Sequence, residues 1–329
     1  MAAVSQSRVV LLGNMYHPEG DARLRAGATV EVLEKPTPES VRDALREAHG
    51  VFVRYPNKLR ADAIAGAARL KIISSSGRGT DAIDLAAATA AGVPVVNNPA
   101  FGVVPVAEHT IGVMLAFAKN LLPLNRLTHA GQGWPAQKDY RRTELREKTL
   151  GVVGLGNIGE EVVRCCTQAF RMRVLAYDPH VPAEKFARAG AERVTDLGRI
   201  WRESDYVSIH AELNEETRGM VGAVELAAMQ PHAILINTAR GPIVQAKALA
   251  EALRTKRIAG ASLDVYEEEP FSADSPLAGL ENVILSPHTG GLTVEALHGM
   301  ALSAADQILQ ALRGERPPHL VNPEVWGRR

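Results

Sequence analysis

The sequence predicts an α/β protein of two doubly wound, parallel-sheet units of Rossmann-like type. Three observations carry this reading. Short apolar runs of strand length alternate with helix-forming stretches along most of the chain. The rhythm breaks at one long apolar segment after residue 102 and then restarts. A glycine turn with the spacing G-x-G-x-x-G follows the first strand of the second series. The length, 329 residues, also exceeds one typical core and suits two.

In the first series, apolar or β-branched runs predict strands at 8–12, 28–33, 50–54, 70–74 and 93–97. Alanine-rich stretches at 39–48, 61–68 and 84–91 read as the crossover helices between them. One long helix is expected over 106–130. The second series of strands follows at 149–153, 173–177, 206–209, 233–237, 258–263 and 283–285. A last helix over 293–313 ends at Gly314, with Pro317 and Pro318 just beyond.

Composition narrows the function classes. Thirty-seven basic residues balance thirty-seven acidic ones, which argues against nucleic acid as the main partner. The two cysteines, Cys165 and Cys166, are neighbours. In a helix their side chains diverge by about 100°, so no disulfide framework is expected and a reducing compartment fits. The opening apolar run is too short for a secretory signal. The greasiest region, 103–122, is interrupted by Pro105, Glu108, His109, Lys119 and Asn120, and reads as a buried helix rather than a membrane span. A soluble, cytoplasmic protein with no membrane partner is the expectation.

The glycine turn lies in LGVVGLGNIGEEVV, with Gly154, Gly156 and Gly159 at the motif positions. The first glycine permits the tight turn, the second lets a pyrophosphate approach the backbone, and the third lets the helix pack on the sheet. The helix start offers free N–H groups and a partial positive charge to phosphates. The next strand ends in Asp178, 19 residues past Gly159. An acid there accepts hydrogen bonds from ribose hydroxyls and repels a 2′-phosphate, which favours NAD over NADP.

Ligands of open α/β sheets bind beyond the carboxyl ends of the strands. Reading the residues at those ends gives His210, then Thr238, Ala239 and Arg240, then Asp264, then His288. Reduction of a ketone by hydride needs a proton donor that titrates near neutrality, which suits His288. A carboxylate beside it would hold the ring, and Glu269, before Pro270, is the candidate. Glu267 and Glu268 read as a solvated acidic turn. Arg240 can bind a substrate carboxylate through paired hydrogen bonds.

GLGNIG, YDP, INTARG, LDVYEEEP and SPHTGG occur in this order. Together they make nearly the whole chain resemble the NAD-dependent D-isomer-specific 2-hydroxyacid dehydrogenases, a group that includes phosphoglycerate dehydrogenases and glyoxylate/hydroxypyruvate reductases. The resemblance implies an NAD-binding domain of residues 102–292 inserted into a split, flavodoxin-like substrate domain of residues 1–101 and 293–329. It implies a homodimer that uses the helix at 106–130. It assigns His288 as acid/base, Glu269 as its partner and Arg240 as substrate anchor. Asn157 and Ile158 would meet the pyrophosphate with Gly154, Gly156 and Gly159, and Asp178 the ribose. His210, Ala211, Thr217, Thr238, Ala239, Arg240, Asp264, His288 and Gly290 would lie along the rest of the dinucleotide. Arg54, Ser76, Gly77, Arg78 and Gly79 match the family's substrate loops, whose backbone N–H groups hold the substrate carboxylate. The substrate implied is a 2-keto or D-2-hydroxy acid of the hydroxypyruvate, glyoxylate or 3-phosphoglycerate type.

Two departures stand out. The stretch HAELN from His210 lacks the proline and leucine that often follow this histidine. The sequence stops at Arg329, so no regulatory C-terminal domain and no serine feedback are expected. Relatives of this fold also include NAD-sensing corepressor-like binding proteins and formate- or phosphite-type dehydrogenases, which are the alternative readings.

Overall fold

A computed structural model of the chain describes residues 7–327. It divides into two compact units, Met1–Gly102 with Leu292–Arg329, and Val103–Gly291.

In chain order the first unit has β1 (Arg8–Leu12), α1 (Pro18–Gly27), β2 (Thr29–Leu33), α2 (Pro38–Leu45), β3 (Gly50–Val53), α3 (Ala61–Ala65), β4 (Ile72–Ser75), α4 (Leu85–Ala90) and β5 (Val95–Val96). The second has α5 (Val103–Lys119), α6 (Leu121–His129), α7 (Gly133–Ala136), β6 (Thr149–Val153), α8 (Asn157–Gln168), β7 (Arg173–Tyr177), α9 (Ala183–Ala189), β8 (Glu192–Arg193), α10 (Leu197–Glu203), β9 (Tyr206–Ile209), α11 (Ala223–Ala228), β10 (Ile234–Asn237), α12 (Ala246–Arg254), β11 (Gly260–Leu263) and β12 (Val283–Leu285). Helix α13 (Val294–Leu312) returns to the first unit.

The first sheet has the strand order β2-β1-β3-β4-β5, all parallel. Strands β3 and β4 are buried along their whole length because helices cover both faces. One face packs Leu24 of α1 and Ala304, Ala305 and Ile308 of α13 onto Val9, Leu11, Phe52 and Ile72. The other packs α2, α3 and α4 onto Val10, Val51, Val53 and Ile73. Strand order reverses between β1 and β3, which opens a crevice beyond the carboxyl ends of those two strands.

The second sheet runs β12-β11-β10-β9-β6-β7-β8, again all parallel. Here the order reverses between β6 and β9, the dinucleotide switch point of a Rossmann sheet. Val113, Met114 and Ala118 of α5 pack with α8 on one face. Residues of α10, α11 and α12 cover the other. No helix among the described residues is long and apolar enough to cross a membrane.

The structure departs from the sequence expectations in three places. The long helix expected over 106–130 breaks at Asn120, whose φ of 51° is left-handed, and becomes α5 and α6. Helix α1 carries only Gly20 and Leu24 as buried residues, so its apolar stripe is too thin to stand out in the sequence. Strand β8 is two exposed residues long and leaves no hydrophobic pattern to read.

Candidate active site

At the switch point of the second sheet, Gly154 turns the chain out of β6 with φ +93°. A Cβ there would also lie 2.6 Å from the Ala211 nitrogen, so the turn presses on the loop leaving β9. A Cβ on Gly159 would lie 2.2 Å from the Gly154 carbonyl oxygen, which is how α8 comes so near the turn. Around Gly156, the N-cap of α8, no atom lies within 4 Å of an added Cβ. The turn therefore leaves open space at the one glycine whose Cα a pyrophosphate must approach, with the N-terminus of a twelve-residue helix beside it. These residues fit a dinucleotide.

Asp178 follows β7 directly and is the N-cap of no helix. Its Oδ2 accepts from Leu155 N at 2.8 Å and its Oδ1 from His180 N at 2.9 Å. The first bond ties the acid to the glycine turn; each oxygen keeps a lone pair for a ribose hydroxyl. His210 Nε2 lies 2.8 Å from Ser208 Oγ, while Nδ1 is buried without a partner among the described residues. Burial pushes this imidazole down to about 4, so it is neutral at physiological pH.

Strand β10 delivers Arg240. Asn237, the last strand residue, holds the turn by accepting from Ala239 N at 3.0 Å and donating to the Arg240 carbonyl at 2.9 Å. The Arg240 guanidinium donates to the Ala239 carbonyl at 2.7 Å. Strand β11 leads to Glu269, whose Oε1 accepts from Tyr266 N at 3.0 Å and whose Oε2 meets His288 Nδ1 at 2.7 Å. The Glu269 side chain is largely buried and His288 is half-buried. His288 itself adopts φ 55°, a conformation uncommon for a side-chain-bearing residue.

The hydrogen bonds that hold this loop come from Asp264. Its Oδ1 accepts from Ser286 Oγ at 2.6 Å and Thr289 N at 2.8 Å, and its Oδ2 from Gly290 N at 2.8 Å. His109 of α5 lies 3.3 Å from Ser286 Oγ through Nε2. Ser286 has one hydroxyl proton and gives it to Asp264, so His109 is the donor of the last bond. Tyr266 adds a hydroxyl bond to the Ser286 carbonyl at 2.8 Å. Burial, with Asp264 nearby, pushes that phenol up to about 12, so it remains a donor.

The loops at the carboxyl ends of β3 and β4 in the first unit are built separately. Ser76, after β4, has its hydroxyl 3.2 Å from Tyr16 Oη and accepts from Tyr55 N at 3.4 Å. Arg54, after β3, stacks its guanidinium 4.5 Å over the Tyr16 ring and donates to the Asn14 carbonyl at 3.0 Å. The glycine-flanked loop is pinned by Ser75 Oγ to the Gly79 carbonyl at 2.6 Å and by Asn97 Nδ2 to the Arg78 carbonyl at 2.7 Å.

A family model described as the NAD binding domain of the D-isomer specific 2-hydroxyacid dehydrogenases matches residues 111–290, more than half of the chain. The chain belongs to that family. A D-3-phosphoglycerate dehydrogenase of Methanocaldococcus jannaschii is 39% identical over 95% of this chain, which spans 59% of that relative's length. A glyoxylate reductase of Aeropyrum pernix is 37% identical, with 94% of each chain covered. The holo D-mandelate dehydrogenase of Rhodotorula graminis matches in structure with a TM-score of 0.87 at 26% identity, over 96% of this chain and 97% of the other.

Within this 2-hydroxyacid dehydrogenase frame, several expected residues have structural tasks that the sequence concealed. Asp264 organises the His288 loop with both oxygens. Thr217 closes its own loop, donating to the Glu212 carbonyl at 2.6 Å and accepting from Asn214 N at 2.9 Å. Glu267 is exposed, as expected of a solvated turn, and also accepts from Ala246 N at 3.1 Å at the start of α12. The Ser76 N–H donates to the Val53 carbonyl at 3.0 Å, so it is a sheet donor. Sequence reading gave no role in the site to Tyr16, His109, Tyr266 or Ser286. His109 was visible as a polar residue in an apolar helix, and Ser286 as a neighbour of His288; nothing local marks the other two.

Proposed function

We propose that this chain is an NAD-dependent D-2-hydroxyacid dehydrogenase that interconverts a 2-keto acid and a D-2-hydroxy acid of the hydroxypyruvate, glyoxylate or 3-phosphoglycerate type. The observation that carries the reading is the 2.7 Å contact between His288 Nδ1 and Glu269 Oε2, on strand-end loops beside the one that bears Arg240. In this reading Val103–Gly291 is the cofactor domain and the other unit the substrate domain.

Each residue then has a defined task. Arg240 receives the substrate carboxylate through charge-assisted hydrogen bonds. Glu269 fixes the ring of His288 through the Nδ1 contact. With Nδ1 committed to Glu269, proton exchange with the substrate oxygen falls to Nε2. In reduction, His288 gives that proton as the carbonyl becomes an alcohol; in oxidation it takes the proton back. When bound, the nicotinamide cofactor supplies or accepts the hydride at the substrate carbon. Asp178 favours NAD over NADP through its charge at the ribose end. Asn157, Ile158, His210, Ala211, Thr238 and Ala239 complete the dinucleotide contacts, and Arg54, Ser76, Gly77, Arg78 and Gly79 contact the substrate.

A homodimer and a cytoplasmic setting belong to the same proposal. Helix α6 has no buried residue, yet Leu121 and Leu122 are more than half exposed and Trp134 of α7 is 85% exposed. Such apolar surface on one short stretch is what a partner copy would cover. Both cysteines are free thiols, as a reducing compartment keeps them.

The deciding experiment is NADH oxidation against glyoxylate, hydroxypyruvate, pyruvate and phenylpyruvate, with NAD reduction by 3-phosphoglycerate. Turnover of at least one acid is expected, and His288→Ala lowers kcat by about 10²–10⁴-fold while NADH still binds. NADH binding with no turnover of any acid would instead favour a corepressor-like NAD sensor; full activity in His288→Ala would remove the acid/base assignment.

A further inference from the structure

A cluster of ligand-type side chains lies on the α1 and α13 face of the first unit. His17 is the N-cap of α1, Glu19 stands in its first turn, and His298 comes from α13, 279 residues beyond Glu19. The two imidazole rings lie 4.4 Å apart by centroid, tilted at 51°. Glu19 Oε2 is 3.0 Å from His298 Nε2. One donor atom from each residue lies within 4.8 Å of the other two. A tetrahedral ion with bonds of about 2.0–2.1 Å holds its donors about 3.3 Å apart. Small side-chain rotations would therefore close this set around one ion.

We propose that His17, Glu19 and His298 form a binding site for a divalent transition cation, with Zn²⁺ the best match. Two imidazoles and one carboxylate are the donor set that zinc accepts with a fourth position left for water. Hard cations such as Mg²⁺ and Ca²⁺ prefer oxygen-only sets, so they are poor competitors.

The fold holds the donors in place. At Gly20 the two helices meet backbone to backbone: a Cβ there would lie 2.7 Å from the main chain of Ala301. Further along the same helices Arg23 and Asp306 form an ion pair at 2.8 Å. The spacing between His17 and His298 is thus set by a main-chain contact on one side and an ion pair beyond it. His17 Nδ1 accepts from Glu19 N at 3.3 Å, so the neutral ring carries its proton on Nε2 and its lone pair on Nδ1, the nitrogen that would take the ion in exchange for this bond. An ion here would also anchor the residue next to Tyr16, whose hydroxyl reaches Ser76.

The test titrates ZnCl₂ into the full chain by calorimetry, in a Cys165→Ser/Cys166→Ala background that removes the soft thiol donors. One site is expected in that parent, unaffected by Mg²⁺. His17→Ala and His298→Ala should each weaken Zn²⁺ binding by more than about tenfold, the least that changes around a metal site cost. The thermal midpoint should rise with Zn²⁺ in the parent and stay put in the double variant. If His298→Ala fails to fold, His17→Ala and Glu19→Gln carry the same comparison from the outer end of α1. Absence of Zn²⁺ binding in the parent, or equal affinity in parent and His17→Ala/His298→Ala, would overturn the proposal. Loss of Zn²⁺ binding leaves NADH oxidation as a separate readout, so this site and the dehydrogenase reading fail independently.

Discussion

Gly241 and Tyr266 meet main chain to main chain: a Cβ on Gly241 would sit 1.8 Å from the carbonyl carbon of Tyr266. Gly241 follows Arg240, and the Tyr266 N–H donates to Glu269 at 3.0 Å. The Tyr266 hydroxyl reaches the carbonyl of Ser286, two residues before His288. One close approach thereby sets the arginine loop against the loops of the glutamate and the histidine.

Replacing Gly241 by alanine puts a methyl group into a backbone that no rotamer change can relieve. Gly241→Ala should lose about 1–3 kcal/mol or more of stability. Its kcat/KM should fall further than its NADH affinity. Urea unfolding with steady-state kinetics checks both, and wild-type kcat/KM in this variant would rule out the spacing role.

Arg240→Lys keeps the charge but loses the paired hydrogen bonds. The KM for the 2-keto acid should rise by about 10–100-fold, the equivalent of one charged hydrogen bond. NADH affinity, read by fluorescence titration, should hardly move. A matching loss in both would place Arg240 on the cofactor instead.

Asp178→Ser removes the negative charge at the end of β7 and the acceptor for Leu155 N. NADH binding should weaken, and the NADH-to-NADPH ratio of kcat/KM should drop by about tenfold or more as the repulsion of the 2′-phosphate disappears. An unchanged ratio would show that discrimination resides elsewhere.

His210 makes stability depend on pH. Its folded-state value, about 4, lies below the ordinary 6.5, because burial favours the neutral ring. The unfolded chain therefore binds more protons between those two values. The neutral-ring contribution is fully present above about pH 6.5 and is lost as pH falls toward 4, up to about 3 kcal/mol. In urea titrations at pH 7 and pH 4.5, His210→Gln should show a smaller drop than the wild type. Equal drops would mean that other groups carry the acid sensitivity.

Much of the architecture was legible in the chain because parallel strands covered on both faces must be apolar throughout. Residues 8–12, 149–153, 173–177, 206–209 and 283–285 coincide with observed strands for that reason. The glycine turn was legible because its three roles fall within six consecutive residues. Helix α1 was not, because two buried residues in ten make no periodic pattern. The break at Asn120 was not, because a single left-handed residue leaves the apolar character on both sides intact.

By itself the sequence determined the alternating α/β order, the family, and which residue types stand at each strand end, since these are encoded in contiguous segments of period and motif. Only the tertiary structure decided that Asp264 holds the His288 loop, that His109 supports it through Ser286, and that Gly241 must lack a side chain against Tyr266. It also decided that His17 and Glu19 face His298. The physical reason is the same in each case. Hydrogen bonds and steric contacts act over a few ångströms of space, and their partners here lie between about twenty and nearly three hundred residues apart.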